Sequence, residues 1–83
     1  MRTIDQIEHP VFRITIMKMN DKHLLRVEAG PYEQVYKFTP DMAEGPADIR
    51  RLVDEAFLEK VKELFDGMHG HFLPAVRKLK GRD

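Results

Sequence analysis

Residues 11–29 constrain this chain more than any other stretch. "VFRITIMKM" and "KHLLRVEA" are rich in β-branched and apolar residues and are separated only by Asn20-Asp21. Both loop residues tolerate the positive φ that a two-residue hairpin turn demands, and a loop this short sets the pairing. Met19 then faces Lys22, Met17 faces Leu24, Ile16 faces Leu25, Ile14 faces Val27 and Phe12 faces Ala29. Side chains alternate along a strand, so Phe12, Ile14, Ile16, Leu25, Val27 and Ala29 share one face. Arg13 opposite Glu28 and Thr15 opposite Arg26 share the other. A single register therefore supplies both an apolar face and a charge-paired face, and a slip of one residue would destroy both.

Gly30-Pro31 ends the second strand, and "YEQVYKF" (32–38) follows with Tyr32, Tyr36 and Phe38 on one parity. Placing these aromatics on the apolar face predicts a three-stranded antiparallel meander. Ahead of it, Thr3 and Gln6 in "TIDQIE" have capping-box spacing, with Ile4 and Ile7 on one side, so a short N-terminal helical turn is expected; a strand is the competing reading.

After the Pro- and Gly-rich connector 39–48, apolar residues recur at Ile49, Leu52, Val53, Ala56, Phe57, Val61, Leu64, Phe65 and Met68. This is the three-four spacing of one helix face. Arg51 with Glu55, Arg50 with Asp54 and Lys62 with Asp66 stand at i,i+4 on its polar side. The apolar phase continues through Phe72, Val76 and Leu79. One helix over 48–80 would be about 50 Å long, against about 26 Å for a strand of eight residues. Either the last turns project and need a partner, or the chain bends. Pro74 suits the first turn of a new helix, so "GMHGHFLP" (67–74) is expected to be a hinge between a long amphipathic helix and a shorter C-terminal one. The expectation is a single small α+β domain over residues 1–83.

The predicted order of elements resembles that of the double-stranded-RNA-binding domain. That family has a longer loop between its first two strands and a lysine cluster opening its last helix. Here the loop is Asn20-Asp21 and the helix opens "ADIRRLVDE", so the resemblance is one of element order and does not carry the function.

Composition removes several activities. The chain has no cysteine and no serine, which excludes thiolate metal sites, disulfides and Ser or Cys nucleophiles. Its isolated glycines form no phosphate-binding loop. The 14 basic and 14 acidic residues cancel, a poor basis for binding a polyanion, so nucleic acid is not the expected partner. The alternative would use Arg13, Arg26 and the basic tail. Charge is nevertheless uneven, because residues 40–70 hold eight acids against four bases, while Arg77, Lys78, Lys80 and Arg82 follow with only Asp83. An acidic segment and a basic tail more readily complement each other within the chain, or a second copy, than a polyanion. The start "MRTIDQIEHP" has no apolar core and no run is long enough to cross a bilayer, so a cytoplasmic location is expected.

His69 and His71 could ligate a metal, with Asp66 one turn before His69. An H-x-H pair shares a face on a strand, whereas on a helix positions two apart point about 200° apart. A catalytic zinc also needs three protein ligands, and the remaining histidines, His9 and His23, lie in distant segments. No metal, cofactor or catalytic residue is assigned, and the chain is not expected to be an enzyme. Protein contact is the favoured activity, in a homodimer or with another protein. The surfaces expected to carry it are an outer-sheet patch of Met17, Met19, Leu24 and Val35 among Arg13 and Arg26, and the helical residues Phe72, Val76 and Leu79.

Overall fold

A computed structural model describes residues 1–81. Strands β1 (Arg2–Ile7), β2 (Arg13–Met19), β3 (Lys22–Ala29) and β4 (Tyr32–Phe38) form one antiparallel sheet in the order β1-β2-β3-β4. Helices α1 (Pro46–Leu52) and α2 (Glu55–Gly81) follow. The class is α+β.

The β2–β3 register is the expected one from Arg13 opposite Glu28 to Met19 opposite Lys22. Phe12 stands just ahead of β2, with its ring in the core. Asn20 takes a φ of 58° and Gly30 one of 60°. Both two-residue loops thus place the left-handed residue first, the φ pattern of II′ hairpin turns, which follow the natural twist of paired strands.

The N-terminus differs from expectation. Residues 2–7 form a fourth strand, so the sheet is not a three-stranded meander preceded by a helical turn, and the resemblance in element order to the double-stranded-RNA-binding domain lapses. Arg2 and Thr3 pair with Lys18 and Met17; after a register shift, Asp5, Gln6 and Ile7 pair with Ile16, Thr15 and Ile14. That bulge explains the misleading periodicity. Ile4 and Ile7 are three apart, a spacing that a regular strand would send to opposite faces, yet both pack against the core. An isolated helical turn would leave most of its backbone groups to water, whereas pairing along β2 satisfies the segment.

The helical region divides at a different place as well. α1 ends at Leu52, and α2 starts behind Asp54, whose Oδ1 accepts the Phe57 backbone N–H at 2.9 Å. Asp54 is an N-cap, which starts a new helix although the apolar phase runs on across it. The break lets the two helices serve different parts of the sheet. Ile49 of α1 is fully buried, and Arg50 donates to Asp5 Oδ2 at 2.7 Å and to the Gln6 carbonyl at 3.1 Å, joining α1 to β1. Arg51 pairs with Asp48 rather than Glu55.

α2 lies along β4. Phe57 meets the Tyr36 ring at 5.5 Å, the Val61 carbonyl accepts from Gln34 Nε2 at 3.0 Å, and Phe65 meets Tyr32 at 6.5 Å. Four helical residues rise about 6 Å and two strand residues about 6.6 Å, so an antiparallel helix and strand stay in step over these three contacts. Beyond Tyr32 the sheet ends and α2 continues, passing through Gly67, Gly70 and Pro74 without interruption. The expected hinge at 67–74 and the separate C-terminal helix are therefore absent; the alternative, projecting last turns, is what the chain adopts. Pro74 leaves the Gly70 carbonyl without its helical donor, one missing bond in a helix of 27 residues. The overhang contributes to the elongated extents of 50 × 27 × 20 Å.

Two outcomes follow from this arrangement. Asp5 is held below the usual carboxylate range, first by the hydrogen bond from Arg50 and then by that from the Gln6 backbone. A depressed folded-state value means stability that is present above the ordinary carboxylate value and is lost as pH falls through the depressed one. Arg50→Ala should therefore lower the melting temperature at neutral pH, and its difference from the parent should shrink in acid to what the bond to the Gln6 carbonyl contributes; a difference independent of pH would contradict the link. Pro74→Ala should restore the missing bond and stabilise the chain by up to about 3 kcal/mol in urea unfolding, with a gain in far-UV helicity.

Candidate functional site

The edge of the sheet at Tyr32 is where α2 leaves its support. The Tyr32 ring packs edge-on against His69 at 5.8 Å and Phe72 at 5.7 Å, while its hydroxyl shares a 2.9 Å hydrogen bond with His69 Nδ1. Phe65, His69 and Phe72 recur at four and three residues, so one strand residue is clasped by two helical turns. His69 is thus occupied as a clasp for β4. His71 is exposed on a different side of the same helix, and Asp66 pairs with Lys62 at 3.3 Å. Among the described residues, no three His, Asp or Glu side chains gather in a way that could hold a metal ion. The structure does not bring Asp66, His69 and His71 together.

On the outer face of the sheet, Met17 and Leu24 were expected to be exposed, yet they keep only 5% and 4% of their accessible surface. For Met17 the fourth strand is the reason, while Leu24 lies on a central strand between β2 and β4. With β1 in place, Met17 is no longer on an edge: it is flanked by Thr3 and Leu24, and Leu24 by Met17 and Lys37. Met19 is half-buried, and Val35, 44% exposed, is what remains of the apolar patch. Around it Glu28 Oε1 lies 3.9 Å from Arg13 Nε and 3.6 Å from Arg26 Nε, and Arg26 also approaches Glu33 at 4.0 Å. These arginines already face carboxylates.

The opposite side of the molecule holds a cleft of about 590 Å³ between α2 and the β1–β2 loop. Its apolar surface comes from Val11, Phe12, Ala29, Leu58 and Phe65, and its rim carries Glu55, Glu59 and Asp66 with Lys62 and His9. The loop has an internal brace: His9 Nδ1 accepts the backbone N–H groups of Val11 and Phe12, each at 3.1 Å, and its ring stacks on Phe12 at 5.0 Å. That brace presents Val11 to the cleft with 70% of its surface exposed. Past Tyr32, the end of α2 carries Phe72, 44% exposed, a half-buried Val76, and Leu79, 78% exposed. The cleft was not anticipated from sequence, because it depends on how far α2 stands from a loop more than forty residues away. The sequence pattern places Val11 in the first hairpin strand, whereas β2 begins only at Arg13 and leaves Val11 in the loop.

The chain matches no protein-family model, no curated protein and no solved structure. No helix among the described residues is long and apolar enough to cross a membrane. The geometry of its own surfaces is thus the basis for reading a function.

The Tyr32 clasp can be checked directly. Tyr32→Ala should cost about 1–3 kcal/mol through its lost aromatic contacts and should speed amide exchange over residues 66–73 while β2 and β3 keep their protection. Tyr32→Phe, which loses only the hydrogen bond, should cost about 0.5–1.5 kcal/mol.

Proposed function

We propose that this chain is a noncatalytic interaction protein that works by self-association, or by binding another protein. The observation that carries the reading is the end of α2, where Phe72, held on one side by Tyr32, stays 44% exposed and Val76 and Leu79 continue the apolar stripe beyond the last strand able to cover them. A stripe of large apolar side chains at helical spacing is what a helix presents to another helix or to a groove. The adjoining Arg77, Lys78 and Lys80 supply an oriented charged rim. The outer-sheet surface adds less, since its apolar part is reduced mainly to Val35.

Nucleic-acid binding is the weaker reading. Arg13 and Arg26 lie among Glu28 and Glu33, which leaves the tail cations as its main support.

Sedimentation equilibrium over the micromolar range tests the proposal. The expected result is a mass that rises with concentration above the 9.7 kDa of one chain, and that falls back toward it in Leu79→Asp. A monomer throughout, with Phe72→Asp and Leu79→Asp leaving every association untouched, removes the basis of the reading.

A further inference from the structure

The cleft wall and the helix end belong to one stripe. Glu55, Leu58, Glu59, Lys62, Phe65 and Asp66 line the cleft from α2. Their three-four spacing continues without a change of phase through His69, Phe72, Leu73, Val76, Leu79 and Lys80. The first half of this side of α2 forms an apolar cleft with an acidic rim, and the second half is an apolar ridge with basic residues beside it. Groove and ridge are complementary in both respects. Within one chain they cannot meet, because Leu58 and Leu79 are separated by about 31 Å along the same uninterrupted helix.

We infer that the cleft is occupied by the end of α2 from a second copy, so that two α2 helices pack antiparallel about a two-fold axis between Met68 and His69. This rests on the self-association reading and specifies its geometry. About that axis Leu58 lies opposite Leu79 of the second copy, and Phe65 lies opposite Phe72 of the second copy. Glu55 falls near Lys80 of the second copy, and Glu59 near Arg77 of the second copy. Each contact is made twice, as an isologous interface requires. A parallel pairing would instead set Glu59 against Glu59 and Arg77 against Arg77, so the charge order selects the antiparallel one. Val11, the exposed apolar residue of the cleft, is covered by the incoming ridge.

Charge reversal on the full chain tests this, followed by sedimentation equilibrium. Glu59 and Arg77 are exposed, and neither makes an ion pair among the described residues, so reversing them should leave the monomer folded, which circular dichroism verifies. Glu59→Arg alone and Arg77→Glu alone should each weaken self-association roughly tenfold, because the repulsion occurs twice per dimer. Mixing the two variants in equal amounts should restore it, since all the 59–77 contacts across a mixed pair are then attractive. Weakened single variants that fail to recover on mixing overturn the antiparallel pairing. A parent chain that associates but is indifferent to both reversals overturns this interface while leaving self-association standing. A parent chain that stays monomeric overturns both, and leaves the cleft to a different occupant.

Discussion

Across β2 and β3, Ile14 faces Val27 and Ile16 faces Leu25, and these four side chains are almost completely withdrawn from water. Removing that many large aliphatic groups from solvent is worth on the order of 6–12 kcal/mol before any entropy is charged against it. The remaining elements are placed with respect to this floor. β1 and β4 extend it on either side, Ile49 closes it from α1, and Val61 and Phe65 close it from α2. A two-residue loop keeps the floor in register, so a modest local feature at Asn20-Asp21 controls the alignment of the core.

The hairpin was legible because two independent patterns, apolar alternation on one face and opposed charges on the other, required the same register. Elsewhere a single pattern misled. Ile4 and Ile7 have helical spacing, but a β-bulge achieves the same result, and nothing in six residues distinguishes a bulged strand from a helical turn; the open edge of β2 decides. Around residue 53 the apolar phase runs on, yet Asp54 caps a new helix. A carboxylate three residues before Phe57 was visible in the sequence, but its weight became apparent only once the two helices were seen to serve β1 and β4 separately. At Pro74 the reverse held: a residue that ordinarily ends helices sits inside one.

These departures are linked, and together they move the candidate surface. A three-stranded sheet would leave β2 at an edge and expose Met17 beside Leu24. Recruiting residues 2–7 as β1 covers Met17, Leu24 lies between β2 and β4, and the outer face is left ringed by Arg13, Arg26, Glu28 and Glu33. A hinge at 67–74 would let Phe72, Val76 and Leu79 return to their own sheet. The straight helix leaves Phe72 at the sheet's rim on Tyr32 and carries Val76 and Leu79 away from it. Exposed apolar surface therefore passes from the sheet to the helix end, for reasons of strand count and helix continuity that no single residue reveals.

The helix end also bears on how folding and association relate. Up to Phe72, α2 is held by β4 through Phe57, Val61, Phe65 and the Tyr32 clasp. The turns that follow lack strand support and contain a proline, and a few helical turns on their own are marginal in water. Their intrinsic propensity cannot supply what tertiary packing supplies to the first half. Covering Val76 and Leu79 would add that missing packing, so whatever docks there also stabilises the turns that bind it. Under the proposed association, mass action would make the order of the last turns depend on the concentration of the partner. On the proposed antiparallel pairing, that partner is the chain itself, and the surface left uncovered in one chain would be the one that makes the pair self-complementary.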